Sequence, residues 1–143
     1  MDLDKLTTSI RAHEGIRLLP YTDTTGNLTI GYGHNLTSRG VSQRIADELL
    51  AEDIQEAVAA CEKHGLYDVS GTPLDDVRRR VITELCFNLG MSKLLQFHNM
   101  WLHIRRKEFP AAANDLRHSL YAKQVGRRAD VLATMLETGV DPA

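Results

Sequence analysis

Apolar positions recur every three or four residues over most of the chain, which is the spacing of one face of an α-helix. The first such stretch covers residues 2–13, where Leu3, Leu6 and Ile10 share a face. We predict a short helix here that stops before Gly15, because a glycine just past a periodic apolar stretch is a common helix end.

Residues 16–37 interrupt this pattern. They are rich in Thr and Gly, and both Pro20 and residues 23–27 carry turn signals. We predict a small antiparallel sheet with one strand over residues 17–21, a turn, and a second strand that begins at Leu28. No other segment of the chain predicts β-structure.

A long helical stripe follows Ser42, a residue type that favours helix N-caps. Its apolar positions are Ile45, Leu49, Leu50, Ile54, Val58 and Cys61. This spacing predicts a helix of about six turns at 3.6 residues per turn. His64 and Gly65 mark its end.

The second half of the chain predicts a helical bundle. After a loop over residues 66–73, a central helix begins at Asp75 or Asp76 and ends at Gly90. Three shorter helices follow, around residues 93–105, 108–118 and 127–137. Their apolar side chains predict a common core of Leu94, Trp101, Ile104, Phe109, Leu116, Val131, Leu132 and Leu136.

The order helix, small sheet, long helix and helical bundle predicts an α+β fold that is mostly helical. We expect a single domain over residues 1–143. Within it, we expect a small sheet-containing lobe over about residues 14–62. The long helix joins this lobe to a helical lobe made of about residues 1–13 and 63–143.

The composition is that of an ordinary globular protein. Of the 143 residues, 43% are hydrophobic and 25% are charged, which is far from a disordered composition. No run of about 18 apolar residues is present, so we expect no membrane-spanning helix. The N-terminal segment MDLDKLTTSIRAHEG lacks a basic start followed by an apolar stretch, so we expect no secretory signal peptide.

The net charge of −2 hides an uneven distribution. Residues 1–77 carry 6 Lys and Arg against 13 Asp and Glu, a balance of −7, and residues 78–143 carry 11 against 6, a balance of +5. A basic half suggests contact with an anionic partner such as a nucleic acid, a membrane surface or a cell wall. The arginine run at residues 78–80 has two interpretations. It is either a solvated helix surface or a surface that contacts the cell wall.

The two cysteines, Cys61 and Cys86, lie on apolar helix faces. Free cysteines in such positions usually behave as small buried hydrophobic residues, and two cysteines do not make a disulfide framework. The six histidines show no metal-ligand spacing. We therefore expect neither a structural metal nor a cofactor.

The residues that carry chemistry lie between the first helix and the second strand. Glu14 closes the helix, Asp23 follows nine residues later in the turn, and Thr29 lies six residues further on. Hydrolysis of a glycosidic bond needs one carboxyl group as proton donor and a second carboxylate that stabilises the positive sugar or activates water. Taken alone, however, Glu14 is also consistent with an exposed charge at the end of a helix, and Asp23 with an ordinary turn residue.

The segment EGIRLLPYTDTTGNLTIGYGHNLT resembles the phage-type lysozymes, the endolysins of glycoside hydrolase family 24. Their pattern has Glu-Gly, nine residues from Glu to Asp, six more to Thr, and then T-I-G-x-G-H. The resemblance implies that Glu14 is the general acid. It also implies that Asp23 stabilises the transition state or activates water, and that Thr29 lines the same site.

The resemblance continues more loosely over the rest of the chain. DDVRRRVITELCFNLG is similar to the central helix of the family, and YAKQVGRRAD to a late segment whose arginine faces the catalytic Glu. It thereby implies supporting roles for Gln124 and Arg128. His34 is expected to play a supporting, structural role, with its imidazole bonded to a nearby carboxylate or backbone group so that it fixes the sheet. The substrate-binding positions that the resemblance implies are Asn35, Phe87, Met100 and Asp115. The loop after His34 is short for the family.

The implied function is that of an endolysin, which hydrolyses the β-1,4 bonds between MurNAc and GlcNAc in bacterial peptidoglycan and lyses the host cell. The implied partner is the glycan strand, with no nucleic acid and no stable membrane insertion, and the protein is expected to be a monomer. The resemblance also implies that it stays in the host cytoplasm until a holin-type lesion releases it to the periplasm or the cell wall.

Three other functions remain as alternatives. A lytic transglycosylase cuts the same bond with the Glu alone, so the presence of Asp23 and Thr29 favours a hydrolase. A non-catalytic wall-binding module of the same fold would not need any of the three residues. A nucleic-acid-binding helical protein would depend on the basic half alone, and the net charge of −2 disfavours it.

Overall fold

The chain forms nine helices and five short strands in a computed structural model that describes all of residues 1–143. Its internal contacts divide it into two units, Met1–Leu49 and Leu50–Ala143. The first unit holds a small antiparallel sheet and the second is helical, so the mostly helical α+β class predicted from the sequence is confirmed. None of the helices combines the length and the hydropathy that a membrane span requires.

The first unit begins with helix α1 (Leu3–Glu14), which starts because the Asp2 side chain accepts a hydrogen bond from the Lys5 backbone. Strands β1 (Arg17–Thr22), β2 (Leu28–Gly31) and β3 (His34–Asn35) follow, and they pair antiparallel in chain order. The two predicted strands and the turn between them are confirmed. Helix α2 (Leu36–Arg39) was not predicted, since four residues are too few to show a helical period.

Helix α3 (Gln43–Lys63) begins next to Ser42, whose hydroxyl accepts a hydrogen bond from the Ile45 backbone. The predicted helix is therefore confirmed, but its apolar stripe is only partly buried. Cys61 is fully buried, whereas Leu50 and Ile54 remain exposed. The apolar stripe of α1 is exposed as well.

The second unit continues with six helices and one hairpin. They are β4 (Asp68–Val69), β5 (Thr72–Pro73), α4 (Asp76–Leu89), α5 (Met91–Leu94), α6 (His98–Arg105), α7 (Phe109–Arg117), α8 (Leu120–Val125) and α9 (Arg127–Thr138). The hairpin contradicts the prediction that the first sheet is the only β-structure, and its two-residue strands are too short for an alternating pattern to show. The helix predicted over residues 93–105 is two helices, and α8 was not predicted.

The core of the second unit forms around α4, whose Val81, Ile82 and Leu85 are completely buried. Of the predicted core residues, those that are buried are Leu94, Trp101, Ile104, Leu116, Leu132 and Leu136. Phe109 and Val131 are only half-buried and pack against this core.

The arginine run at residues 78–80 is only in part the solvated helix surface that the sequence suggested. The Arg78 guanidinium stacks on the Phe109 ring at 3.7 Å and donates hydrogen bonds to the Leu136 and Glu137 carbonyls. It thus satisfies carbonyl groups in the last turn of α9, which have no partner within the helix. Arg80 pairs with acidic side chains, and only Arg79 is exposed without an ion pair.

Candidate active site

Helix α1 ends at Glu14, whose carboxylate lies beside the backbone of Gly33. A Cβ atom added at Gly33 would stand 3.3 Å from Glu14 Oε2 and 3.6 Å from Glu14 Cδ. Gly33 has a φ of +81°, which glycine adopts readily and other residues do not. The Glu14 side chain is otherwise exposed, so a ligand can reach its carboxyl group.

Asp23 is fixed by the turn between β1 and β2. Its Oδ1 atom accepts hydrogen bonds from the Thr25 backbone at 2.9 Å, the Thr25 hydroxyl at 2.8 Å and the Asn27 backbone at 2.8 Å. These bonds hold the pKa of Asp23 below its ordinary value, with the Asn27 backbone bond contributing most and the Thr25 hydroxyl next. Asp23 is therefore an ionised carboxylate, and its Oδ2 atom remains able to accept a further hydrogen bond.

Thr29 lies on β2, where it is paired with Tyr21 of β1 and Asn35 of β3. It is the one buried polar residue of the chain, at 3% exposure. Its hydroxyl donates to the Asn27 carbonyl at 3.1 Å, and Asn27 also binds Asp23. The hydroxyl hydrogen is used in this bond, so the lone pairs of the Thr29 oxygen are left to accept a hydrogen bond from a water molecule.

Glu14 and Asp23 are held at opposite ends of β2. The turn that holds Asp23 precedes the strand, and Gly33, beside which Glu14 lies, follows it. The strand has 4 residues, so at a rise of about 3.3 Å per residue it is about 10 Å long. The fold therefore brings an exposed carboxyl group and an ionised carboxylate to the same small sheet without placing them in direct contact.

Two further predicted residues of this unit make structural contacts. The His34 Nε2–H group donates to the Gly40 carbonyl, which ties β3 to the residues after α2. The Asn35 side chain accepts a hydrogen bond from the Ser38 backbone at 3.0 Å and so caps α2. The carboxamide oxygen of Asn35 is therefore engaged in capping α2. A sugar contact by Asn35 remains a prediction.

In the second unit, Arg128 pairs with Glu84. Its Nε and Nη2 atoms lie 3.2 Å and 3.1 Å from Glu84 Oε1. Both side chains line an apolar groove of about 460 Å³. The hydrophobic residues of this groove are Leu50, Ile54, Val58 and Phe87. Phe87 is 42% exposed, which leaves much of its ring open to a ligand.

The other predicted residues of the second unit differ in how accessible they are. Met100 is 1% exposed and belongs to the core, which leaves almost none of its surface for a sugar. Asp115 Oδ2 lies 2.6 Å from His103 Nδ1, so its carboxylate is already engaged. Gln124 is exposed and lines an opening with Tyr121. The substrate contacts of Met100 and Asp115 and the supporting role of Gln124 remain predictions.

The structure adds residues that the sequence reasoning missed. Thr25 and Asn27 fix the Asp23 carboxylate, and a threonine two residues after an aspartate in a turn is a signal for such bonding. Gly33 makes room for Glu14. By contrast, no local signal predicts that Glu84 binds Arg128, because the two residues are 44 positions apart. No group of three or more His, Cys, Asp or Glu side chains is placed to hold a metal ion.

The comparisons with known proteins identify the family of the chain. A family model described as phage lysozyme matches residues 11–134. Two proteins of Dictyostelium discoideum, probable T4-type lysozyme 2 and probable T4-type lysozyme 1, are similar to the chain. The first is 23% identical, covering 96% of each chain. The second is 22% identical, covering 91% of this chain and 92% of the relative.

A third relative is the endolysin of Acyrthosiphon pisum secondary endosymbiont phage 1. It is 36% identical over 86 residues, which is 58% of this chain and 56% of that protein. The family model, in contrast, spans most of the chain and includes Glu14, Asp23 and Thr29. The chain therefore belongs to the phage lysozyme family, whose members are glycoside hydrolases that act on peptidoglycan.

Proposed function

We propose that the protein is an endolysin that hydrolyses the β-1,4 bond between MurNAc and GlcNAc, with Glu14 as proton donor and Asp23 and Thr29 as the groups that place the attacking water. The observation that carries this proposal is the arrangement of two unlike carboxyl groups around β2. Glu14 is exposed beside Gly33, and the turn holds Asp23 ionised.

Glu14 protonates the glycosidic oxygen as the bond to the anomeric carbon breaks. The alcohol of the next sugar is a poor leaving group unless it receives this proton. In the transition state the sugar develops positive charge, which the Asp23 carboxylate stabilises.

Water completes the reaction in one displacement. Asp23 Oδ2 and the Thr29 oxygen each accept a hydrogen bond from the water, and the carboxylate takes up its proton as the new bond to the anomeric carbon forms. Carboxyl groups roughly 6.5–9.5 Å apart leave room for this water and go with inversion, whereas about 5–5.5 Å goes with a covalent intermediate. The anchoring of Glu14 and Asp23 at opposite ends of β2 favours the wider separation.

The biological setting is part of the same proposal. The enzyme acts as a monomer on the glycan strands of the wall, after a holin-type lesion in the cytoplasmic membrane has released it. Its similarity to a phage endolysin over 58% of the chain supports this role.

The test is a digest of purified peptidoglycan, with the new ends identified by mass spectrometry. We expect reducing MurNAc ends, and a rate at least about 100-fold lower for Glu14→Gln, which is a typical loss for a positioned proton donor. Glu52→Gln, which removes an exposed carboxylate of α3, is the matched control and should keep the parent rate.

Two results would replace the proposal with one of its rivals. Ends in the 1,6-anhydro form would identify a lytic transglycosylase. Normal binding to sedimented peptidoglycan without any release of fragments would identify a non-catalytic wall-binding module.

A further inference from the structure

Asn27, at the end of the turn between β1 and β2, is bonded to both groups that the proposed function assigns to the attacking water. Its carbonyl oxygen accepts hydrogen bonds from the Asp23 backbone N–H at 2.8 Å and from the Thr29 hydroxyl at 3.1 Å. Its own backbone N–H donates to Asp23 Oδ1 at 2.8 Å. The Asn27 side chain is half-buried, and the proposed reaction gives it no step of its own.

The carboxamide of Asn27 reaches Asp23 through Thr25. Asn27 Nδ2 donates to Thr25 Oγ1 at 2.9 Å, and the Thr25 hydroxyl donates to Asp23 Oδ1 at 2.8 Å. Thr25 has a single hydroxyl hydrogen, and an ionised carboxylate can only accept. The hydrogen therefore points to Asp23, so the Asn27 group beside Thr25 must be the donating NH₂ end of the carboxamide.

The carbonyl of Asn27 fixes the direction of a second hydroxyl. A carbonyl oxygen only accepts, and it has two lone pairs. One receives the Asp23 N–H and the other receives the Thr29 hydroxyl. The Thr29 hydrogen therefore points to Asn27. Asn27 thus orients two hydroxyl groups, one that holds Asp23 and one that belongs to Thr29.

This orientation determines how a water molecule can be held. Asp23 Oδ2 and the Thr29 oxygen are two acceptors, and a water molecule has two hydrogens to donate. A water that donates both of them keeps its lone pairs for the attack on the anomeric carbon. A Thr29 hydroxyl that turned freely would instead donate to the water and occupy one of those lone pairs.

We infer that Asn27 is a positioning residue for the hydrolysis: it keeps Asp23 and Thr29 as two hydrogen-bond acceptors and so leaves the lone pairs of the attacking water free. The inference rests on the proposed function, in which this water attacks. Asn27 acts through its neighbours and does not itself contact the sugar. Its carboxamide acts through Thr25, and this is the part that a substitution can remove.

Asn27→Ala removes the carboxamide and keeps the backbone bonds, and the φ of Asn27 is not positive, so alanine fits the backbone. The Thr25 hydroxyl then loses the group that fixes it. Hydrogen bonds from the Asn27 backbone and then from the Thr25 hydroxyl lower the pKa of Asp23, so its pKa should rise. We expect kcat to fall roughly 3- to 10-fold, which is the effect of about one hydrogen bond, with KM unchanged and the acid limb of the kcat–pH profile at higher pH.

Asn27→Asp is a second variant of almost the same shape, in which an acceptor replaces the donor. The new carboxylate competes with Asp23 for the Thr25 hydrogen, and its charge also favours the protonated form of Asp23. Both effects should move the acid limb further than Asn27→Ala does. Asn114→Ala, at an exposed asparagine of α7, is the matched control and should leave kcat and the acid limb as they are in the parent protein.

The experiment is a double-mutant cycle of Asn27→Ala and Thr25→Val in the full-length protein. It measures kcat and KM against pH on purified peptidoglycan, and it follows the titration of Asp23 by carbon NMR of the side-chain carboxyl groups without substrate. Because the carboxamide acts through the Thr25 hydroxyl, Asn27→Ala should raise the pKa of Asp23 in the parent protein and change nothing further in Thr25→Val. Additive effects, an unchanged pKa of Asp23 in Asn27→Ala, or a change in KM alone would overturn the inference.

The same measurements separate this inference from the proposed function. A parent protein that releases no reducing ends contradicts the proposed function, and the inference falls with it. Release of reducing ends at equal kcat by the parent protein, Asn27→Ala and Asn27→Asp would overturn the inference alone. Circular dichroism checks that each variant is folded, and Asn27→Asp decides the outcome if Asn27→Ala does not fold.

Discussion

Replacing Gly33 by alanine tests whether the close approach of Glu14 to the backbone matters for catalysis. The new Cβ would stand 3.3 Å from Glu14 Oε2, so the carboxylate must shift by a few tenths of an ångström. Gly31→Ala is the matched control, because Gly31 also has positive φ, at +69°, but a Cβ there meets no atom within 4 Å. Both variants introduce backbone strain, and only one of them displaces Glu14.

The magnitudes of the two effects differ. An alanine held at positive φ costs about 1–2 kcal/mol, so both variants should lower Tm by about 3–8 °C. A misplacement of about 1 Å in an active site can cost roughly 100-fold in rate. A shift of a few tenths of an ångström at Glu14 should therefore lower kcat about 3- to 10-fold in Gly33→Ala, with little change in Gly31→Ala.

The assay measures initial rates of release of reducing ends from purified peptidoglycan, at a temperature well below the Tm of both variants. Circular dichroism melting gives the loss of stability for each. Equal losses of kcat in the two variants would refute the reasoning, since backbone strain alone would then explain the effect. A normal rate in Gly33→Ala would refute it as well.

Three further predictions follow from the contacts of single side chains. Thr29→Val, which keeps the shape and removes the hydroxyl, should lower kcat at least about 10-fold, whereas Thr29→Ser should keep most of it. If Thr29→Val and the parent protein had equal rates in a kinetic assay, Thr29 would have no part in the mechanism. Thr25→Val removes one hydrogen bond from Asp23 and should raise the pKa of that carboxyl group, which shifts the acid limb of the kcat–pH profile to higher pH. The control Thr24→Val should leave the acid limb at the pH of the parent protein. Arg78→Met breaks the contacts to the α9 carbonyls and should cost about 2 kcal/mol in urea unfolding, against less than about 0.5 kcal/mol for the exposed Arg79→Met.

The direction of the pH effect on stability follows from the lowered pKa of Asp23. A carboxyl group whose pKa is lower in the folded protein contributes stability that is fully present above its unfolded pKa, about 3.9 for Asp. That contribution is lost as the pH falls through the folded value. Removing the Thr25 hydroxyl should thus make unfolding in acid begin at a higher pH.

Most elements were predictable because their signals are local. Helix α4 shows an apolar period between an aspartate cap and Gly90, and the turn after β1 has its own sequence signature. The two-residue strands β4 and β5 carry no such period, and their pairing depends on neighbours in space.

The candidate site was predictable in its residue types but not in its contacts. Glu14, Asp23 and Thr29 stand at a spacing that can be read from the chain. Met100, which was predicted to bind substrate, is buried because α6 presents it to the core. Side-chain partners that are distant in sequence, such as Glu84 for Arg128, become visible only once the helices are packed.

The central claim is that Glu14 and Asp23 hydrolyse the glycan strand by a single displacement with water. The most direct test is proton NMR of the product in the first minutes of a digest of soluble, uncross-linked glycan strands, before the new reducing ends mutarotate. The account predicts that the first-formed end is the α-anomer, inverted from the β-linked strand. A first-formed β-anomer would contradict it, because retention would make Asp23 the nucleophile and leave Thr29 without its proposed role of orienting the attacking water.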